Sequence, residues 1–300
     1  MKEIYELETT DAVILVDAAN AFNRLNRAVA LHNVQYICPT FATVLINTYR
    51  RPARLFITNG GEIMTAEGTT QGCPLAMPFG ISLTPIISAL DFKFNSQQLT
   101  VHQVWLADDA TGAGKLEKLK TWWEFLIKEG ERYGYYVKPS KSWLILKNPE
   151  KLQETREMFQ NGSQINITTA GKRHLGAALG SNEFKQTYIN EKVTKWCDRL
   201  NKLSEVAKSQ PHVAYAAYIH GEQHRYTYFI RTIMDIGVNL QPIDEIIENK
   251  FIPALFGRDI STQERELLCL PVKEGGLGIR RVNENSSTAY TTSTAVTAVK

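Results

Sequence analysis

Residues 101–111, VHQVWLADDAT, carry two adjacent carboxylates, Asp108 and Asp109, directly after a run of β-forming residues. A Gly-rich exit, Gly112-Ala113-Gly114, follows them. This pattern predicts a short β-hairpin with the acid pair in its tight turn. Two neighbouring carboxylates repel each other, so proteins usually keep such a pair together to hold a cation. A solvated Asp-Asp turn is the alternative, and for an isolated pair it is the commoner one.

The composition is that of an ordinary globular chain. The 300 residues are 43% hydrophobic and 22% charged, which suffices for one large domain or two modest ones with a proper core. The net charge of +3 is too small to indicate nucleic acid by itself. Residues 172–208, however, carry eight Lys or Arg against four acids. Either a phosphate-binding face or a solvated helix face fits that local surplus.

Cysteine spacing and hydropathy bear on the compartment. The four cysteines are far apart and form no CxxC pair, which argues against a zinc module or a disulfide scaffold and suits a reducing environment. The sequence has no signal peptide and no apolar run of membrane length. We therefore expect an intracellular protein without a membrane partner. The sequence does not distinguish nucleus from cytoplasm and leaves the oligomeric state open.

Strand patterns dominate the first part of the chain. An apolar run at 12–16 predicts a strand buried on both faces, and it ends at Asp17. Asn59-Gly60-Gly61 between two β-forming runs indicates a hairpin. Further strands are predicted at 135–137 and 143–146, with a small hairpin formed by 164–168 and 174–180. Helices are predicted at 27–49 with a break at Pro39, from Pro74 to about Phe94, and at 115–133.

Helical patterns dominate the second part, at about 184–209, 212–237 and 242–256. Strands early and helices late predict an α+β domain followed by a helical one. We place the domains at 1–183 and 184–284. The Ser/Thr-rich tail, 285–300, is predicted to be disordered or a truncated helix.

Carboxylates from separate segments would meet if the strand before Asp17 lay beside the acid-bearing hairpin. Two-metal phosphoryl transfer needs such carboxylates at one sheet edge, to hold two divalent ions roughly 3.5–4 Å apart. Oxygen ligands favour Mg²⁺ or Mn²⁺ over zinc. Taken alone, Asp17 could equally cap the following helix.

These motifs carry a resemblance to a known family. The motifs are Asp17-Ala18-Ala19-Asn20-Ala21-Phe22, Gln71-Gly72-Cys73-Pro74-Leu75, Ala107-Asp108-Asp109, Lys141-Ser142 and Leu175-Gly176. Their order and spacing resemble those of reverse transcriptases, most of all the polymerase of non-long-terminal-repeat retrotransposons, from about Asp11 to Val282. The resemblance implies a polymerase palm, an antiparallel sheet packed on helices, followed by an α-helical thumb. Each motif alone is weak, and their common order is the specific signal.

The resemblance also implies roles for the acids and their neighbours. Asp17, Asp108 and Asp109 match the metal-binding acids, with the Ala18 carbonyl as a further ligand. Phe22 matches the aromatic that lies against the sugar and excludes a ribose hydroxyl. Without the resemblance we would assign Phe22 to the core.

Further site residues follow from the same resemblance. Gln71 and Gly72 match the turn that supports the templating base pair, where a glycine lets backbone approach nucleic acid closely. Lys141 matches a lysine that protonates the leaving pyrophosphate, although in isolation it looks solvated. The primer-gripping hairpin is matched by His174, Leu175 and Gly176. The basic helix around 192–202 would be the thumb, contacting phosphates without reading sequence.

The implied activity is RNA-directed DNA polymerisation, from deoxynucleoside triphosphates (dNTPs) to a DNA primer 3′ end on an RNA template, with two Mg²⁺ or Mn²⁺ ions. Two departures from the family pattern matter, the first for local packing and the second for activity. Leu106 replaces an aromatic residue usual in the family, and 16 residues precede Asp17 where the family has a long fingers region. The sequence therefore fits a palm and thumb with a remnant of fingers, from a larger polyprotein or a degenerate genomic copy. A catalytically silent nucleic-acid-binding remnant is the alternative. An RNA-directed RNA polymerase is disfavoured by Phe22 and Ala107.

Overall fold

The computed structural model describes residues 1–70, 72–73, 75, 80, 82–95, 100–160 and 164–298. The chain forms two compact units, Met1–Lys172 and Arg173–Lys300. The division lies about ten residues before the predicted boundary at 183. The reason is that the hairpin at 171–180 is attached to helices of the second unit, where the Tyr188 hydroxyl donates to the Gly176 carbonyl at 2.8 Å.

The first unit contains a five-stranded sheet with helices packed on it. The sheet order is β4-β5-β1-β6-β7, and a separate two-stranded ribbon consists of β2 and β3. The strands are β1 (Ala12–Val16), β2 (Ala53–Ile57), β3 (Gly61–Thr65), β4 (Val101–Leu106), β5 (Asp109–Gly114), β6 (Trp143–Leu146) and β7 (Asn166–Thr168). The helices are α1 (Lys2–Glu6), α2 (Ala21–Arg24), α3 (Arg27–Ile37), α4 (Pro39–Tyr49), α5 (Thr84–Asn95), α6 (Leu116–Gly130) and α7 (Leu152–Gln160).

The central strand β1 determines this arrangement. Its run of five apolar residues pairs antiparallel with β5 on one side and with β6 on the other. Ala12, Val13 and Ile14 have no exposed surface, so the strand is buried on both faces as its composition predicts. The fold class is α+β, with the strands preceding a helical unit.

The helices cover the sheet with one continuous apolar cluster. Trp122, Trp123 and Leu126 of α6 lie in it together with Ile14 and Leu144 of the sheet. The break predicted at Pro39 is confirmed, because the proline begins α4 directly after α3. Helix α5 covers the second half of the predicted 74–94 helix, whose predicted start at Pro74 lies outside the described residues.

Two predicted strand pairings are wrong. Strand β7 pairs parallel with β6 instead of forming a hairpin with 174–180. The Asn166 side chain strengthens that pairing, since its amide donates to the carbonyls of Ser140 and Ser142. Residues 135–137, predicted as a strand, contribute a single bridge between Val137 and Ala18.

The second unit begins with a small hairpin and continues as helices. Its strands are β8 (Gly171–His174) and β9 (Ala177–Gly180). Its helices are α8 (Asn182–Ala207), α9 (Pro211–Ala217), α10 (Gln223–Thr232), α11 (Gly237–Ile246), α12 (Ile252–Phe256), α13 (Thr262–Cys269) and α14 (Ser286–Ala298). A second apolar cluster, separate from the first, includes Leu200, Phe229, Leu240 and Ile247.

The tail differs from the prediction of disorder. Residues Ser286–Ala298 form α14, with Ser286 buried and Ala289 packed against the second cluster. Burial of this face supplies stability that a Ser/Thr-rich composition does not provide by propensity. In the described part of the chain, every helix is too short or too polar to cross a membrane.

Candidate functional site

The acid pair lies at the tip of the hairpin formed by β4 and β5, with Asp108 in the two-residue turn and Asp109 as the first residue of β5. Leu106 pairs with Asp109, so Ala107 and Asp108 form the turn itself. Ala107 has a φ of 54°, whereas Asp108 does not have a positive φ, and these are the φ signs of a type II′ turn. The predicted position of the acids at the hairpin tip is therefore where the structure places them.

Asp17 meets the acid pair at the same edge of the sheet. Val16, the last residue of β1, pairs with Ala110, so Asp17 leaves its strand beside the residue that begins β5, Asp109. Partial burial, followed by the negative charges of Asp108 and Asp17, raises the pKa of Asp109. The three carboxylates thus act electrostatically on one another.

Backbone contacts fix Asp17 to the loop before β6. The Asp17 amide donates to the Ser142 hydroxyl at 3.0 Å, and its carbonyl accepts from the Lys138 amide at 2.8 Å. Ser142 is fully buried, and its hydroxyl donates a hydrogen bond to the Lys138 carbonyl. Lys141 lies in the 3-10 turn of this loop, with an exposed side chain that has no partner among the described residues. The loop therefore places a free ammonium group next to the segment that holds Asp17.

A buried tyrosine supports the turn from below. Tyr135 is 1% exposed, and its hydroxyl donates to the Asp108 carbonyl at 2.7 Å. Burial, with the charges of Asp108 and Asp109 as further causes, raises the pKa of Tyr135 well above its usual value. The neutral hydroxyl is a stable donor that holds the turn without adding charge.

Phe22 lies beside the acids. It lines one apolar cleft together with Ala107, Asp108, Gly80 and Tyr135. Helix α2, which carries Phe22, follows Asp17 closely because Asn20 adopts left-handed backbone and turns the chain there. The structure thus brings the predicted sugar-facing aromatic into one cleft with Asp108, one of the three predicted metal-binding acids.

Arg27 anchors the loop that leads to Gly72. It is 5% exposed, and its guanidinium donates to the carbonyls of Thr65, Glu67 and Gly68 at 2.8–3.0 Å. The Thr69 amide in turn donates to the Phe22 carbonyl at 2.6 Å. Gly68 has a φ of +63°, and a Cβ there would lie 2.3 Å from the Phe22 carbonyl oxygen. The loop and the helix that carries Phe22 are therefore held as one piece.

The structure describes only some of the residues that are predicted to support the template. Gly72 has a φ of +88° and open space at its Cβ position, so its backbone is accessible. Tyr49 supports the same loop, with its hydroxyl 2.8 Å from the Thr69 hydroxyl and 3.3 Å from the Cys73 sulfur. Gln71, predicted to act with Gly72, lies outside the described residues.

The predicted primer-gripping residues belong to the second unit. Leu175 and Gly176 form the tight turn between β8 and β9, with φ values of 47° and 88°. The Tyr228 hydroxyl donates to the Leu175 carbonyl, and the Tyr188 hydroxyl donates to the Gly176 carbonyl. His174 is half-buried at the end of β8. The turn is rigid because two tyrosines bind it from helices α8 and α10.

The candidate ligand atoms are of the type that a hard divalent cation prefers. Asp17, Asp108 and Asp109 offer only carboxylate oxygens, which suit Mg²⁺ or Mn²⁺. The Ala18 carbonyl accepts no hydrogen bond from any described residue, so it is available as a further ligand. Within the described ranges, however, no group of three or more His, Cys, Asp or Glu side chains is close enough to hold one ion.

No protein-family model and no curated protein matches the chain. Among solved structures, it is similar to apo telomerase from Candida tropicalis, with 12% sequence identity and a TM-score of 0.48 over 96% of this chain and 48% of that chain. It is also similar to telomerase from Candida albicans in complex with a TWJ fragment of telomeric RNA, at 11% identity and a TM-score of 0.43, over 89% and 49% of the two chains. The chain thus spans about half the length of these two telomerase chains. With TM-scores below 0.5, the similarity carries no conclusion about function, which rests on the site.

Sequence reasoning missed Tyr135 and Arg27 as members of the site, and it gave Ser142, although part of the Lys141-Ser142 motif, no contact with Asp17. Each acts through contacts with residues distant in sequence, such as the 125-residue separation between Asp17 and Ser142. Nothing local in their surroundings signals these contacts. An arginine at the start of an amphipathic helix, for example, predicts a solvated charge.

Proposed function

We propose that the chain is the palm and thumb of an RNA-directed DNA polymerase. One observation carries the proposal: Asp17 at the end of β1 and the Asp108–Asp109 turn meet at one edge of the sheet, on neighbouring strands. The motif order supports assignment to the polymerase of a non-long-terminal-repeat retrotransposon. The partners would be an RNA template, a DNA primer and dNTPs.

Some of the site residues would bind the metal ions, and others hold the acid-bearing segments in position. Asp17, Asp108, Asp109 and the Ala18 carbonyl would hold two Mg²⁺ or Mn²⁺ ions, which supply charge stabilisation for in-line displacement at phosphorus. Ser142 and Tyr135 hold the two acid-bearing segments by their backbones.

Residues around the acids would select and release the substrate. The ring of Phe22, in the same cleft as Asp108, would occupy the space that a ribose 2′-hydroxyl needs. The Lys141 ammonium would give a proton to the leaving pyrophosphate. The proposed reaction is attack of a primer 3′-hydroxyl on a dNTP.

Primer extension on an RNA template, with and without Mg²⁺, tests the proposal. We expect Mg²⁺-dependent incorporation by the wild type and loss of at least about 100-fold in Asp108→Asn, because a neutral amide binds the ion weakly. Asp259→Asn is the matched control, since Asp259 is an exposed carboxylate between α12 and α13 of the second unit. Equal incorporation by the wild type and Asp108→Asn would refute the assigned role of that acid.

The second candidate function is nucleic-acid binding without catalysis. It is favoured by the spacing of the acids, which within the described residues do not gather at one point. It predicts salt-sensitive, sequence-independent binding and no extension. Binding of a primer–template duplex that persists in Asp108→Asn, with no incorporation by the wild type at any Mg²⁺ or Mn²⁺ concentration, would select this candidate over the first.

A further inference from the structure

A cleft of about 420 Å³ lies within the second unit, away from every residue assigned above. Its walls are α10 on one side and α14 on the other, with the segment 280–285 between them. Neither the motifs nor the proposed polymerase chemistry gives this cleft a role.

The lining of the cleft is positively charged. Three arginines, Arg231, Arg280 and Arg281, line it, and no described lining residue is acidic. Arg281 is neutralised, since its guanidinium lies 2.6 Å from Glu266 and 3.4 Å from Glu284. The exposed side chains of Arg231 and Arg280 have no ionic or hydrogen-bonding partner among the described residues. Two arginines are thus available to an anion.

The wall that carries Arg280 is fixed in place. The amides of Val282 and Asn283 each donate to the Asp244 carboxylate at 2.8 Å. On the other side, Arg265 donates to the Ile279 carbonyl at 2.8 Å. Because the backbone on both sides of Arg280 is held, the point at which its side chain leaves the backbone is fixed in the cleft wall.

The rest of the cleft combines apolar side chains with amide and hydroxyl groups. Tyr226 and Val282 are buried in the lining, and Ile230 is 7% exposed. Thr288 and Thr292 line the wall formed by α14. Such a surface accommodates a ring next to a charged group, as small-molecule sites commonly do.

We propose that this cleft binds a phosphate monoester attached to an aromatic or apolar group, as in a nucleoside monophosphate. Two guanidinium groups match the double negative charge of a terminal phosphate and can bind its oxygens in a bidentate manner. A concave site suits a terminal phosphate better than the continuous backbone of a strand. The monoester can come from a free mononucleotide or from the 5′ end of a nucleic acid.

Binding measurements without catalysis test the inference. The probes are inorganic phosphate, AMP and one DNA oligonucleotide with and without a 5′-phosphate, titrated into the full chain by calorimetry or fluorescence anisotropy. We expect AMP to bind more tightly than phosphate, and the Arg231→Gln/Arg280→Gln variant to weaken AMP binding by about tenfold or more. Lys128→Gln, which removes an exposed cation from α6 in the first unit, should change AMP binding less than about twofold.

The two oligonucleotides distinguish the 5′ end of a nucleic acid from a free mononucleotide as the source of the phosphate monoester. Tighter binding of the 5′-phosphorylated strand, lost in the double variant, identifies a strand end, whereas binding of AMP with no preference between the oligonucleotides identifies a free mononucleotide. If no probe binds, or if the double variant binds AMP as the wild type does, the inference is refuted. Equal weakening of both oligonucleotides without an effect on AMP would also refute it, because that pattern indicates backbone contacts. None of these outcomes depends on polymerase activity.

Discussion

Ala107 occupies a backbone conformation that suits glycine. Its φ of 54° brings Cβ close to the following carbonyl, at a cost of about 1–2 kcal/mol. We expect Ala107→Gly to raise the free energy of unfolding by up to about 1 kcal/mol, part of the gain being offset by the more flexible unfolded chain. Urea denaturation of the wild type and of Ala107→Gly measures this change in the free energy of unfolding.

The control for Ala107→Gly is Ala110→Gly, three residues later. Ala110 is buried in β5 with ordinary strand backbone, so glycine there removes packing and adds flexibility. It should lower the free energy of unfolding by about 1 kcal/mol. Equal effects of the two substitutions would contradict the strain assigned to the turn.

The charge on Asp109 makes folding depend on pH. Burial and the neighbouring Asp108 and Asp17 raise its pKa in the folded protein, so the folded state binds the proton more tightly than the unfolded chain. Stability therefore falls as pH rises from the ordinary aspartate pKa through the raised value. Above that window Asp109→Asn should stabilise the protein, by less than about 1 kcal/mol because the side chain is partly solvated.

Thermal unfolding of the wild type and Asp109→Asn between pH 3 and pH 7 measures this effect. The difference should vanish at the acidic end, where the wild-type carboxyl is also neutral. Added Mg²⁺ should raise the melting temperature of the wild type more than that of the variant. A variant less stable than the wild type at neutral pH would contradict the repulsion.

At the scale of elements, Arg27 joins helix α3 to the loop before Gly72. Its four guanidinium hydrogen bonds end on three carbonyls of that loop. Lysine has one donor group and lacks the fork, so Arg27→Lys should lower the free energy of unfolding by about 2 kcal/mol. Hydrogen exchange should speed up at Gly68 and Thr69, whose amides bond to α2 and its C-cap.

Arg50→Lys is the matched control for that substitution. Arg50 is exposed at the end of α4, with no partner among the described residues, and should tolerate lysine within about 0.5 kcal/mol. Equal effects at Arg27 and Arg50 would contradict the anchoring role.

Two tyrosines, Tyr188 of α8 and Tyr226 of α10, differ in whether their hydroxyl groups have a hydrogen-bond partner. The buried Tyr226 hydroxyl has no hydrogen-bond partner among the described residues, whereas the Tyr188 hydroxyl donates to the Gly176 carbonyl. Tyr226→Phe removes an unsatisfied polar group and should leave the protein as stable or up to about 1 kcal/mol more stable. Tyr188→Phe should cost about 1 kcal/mol. Chemical denaturation of both variants measures the contrast, and a larger loss for Tyr226→Phe would reveal a water bound to its hydroxyl.

Elements whose signals are local were predictable from sequence. The apolar run of β1, the break at Pro39 and the hairpin that carries Asp108 each follow from residues within one turn or strand. The partner of β7 was not predictable, because three residues carry too little pattern to select a strand. For helix α14 the sequence left disorder and a truncated helix as alternatives, because its Ser/Thr-rich composition does not favour a helix without packing.

The candidate site shows the same limit. Its acids were found because their order along the chain is a signal, and their meeting at one edge followed from the strand pairing. Ser142 and Tyr135 hold those acids through contacts to the backbone, which any polar residue of suitable size and position could make. Such contacts leave no trace in local composition.

At the scale of the whole molecule, the chain has two apolar cores, each contained within one unit. Chains with separate cores commonly unfold in more than one step. Four of the five tryptophans, at 105, 122, 123 and 143, lie in the first unit, and Trp196 lies in the second. Fluorescence therefore reports mainly the first unit, whereas the helix signal in circular dichroism includes both.

Core truncations should consequently act on one unit at a time. Leu240 and Leu119 are both fully buried, in the second and first core respectively, and leucine-to-alanine changes at such sites cost about 2–5 kcal/mol. Leu240→Ala should lower the midpoint of unfolding seen by circular dichroism and leave the fluorescence midpoint nearly unchanged. Leu119→Ala should lower the fluorescence midpoint. If each substitution lowered both midpoints equally, the two cores would unfold as a single cooperative unit, because destabilising either one would then destabilise the whole chain.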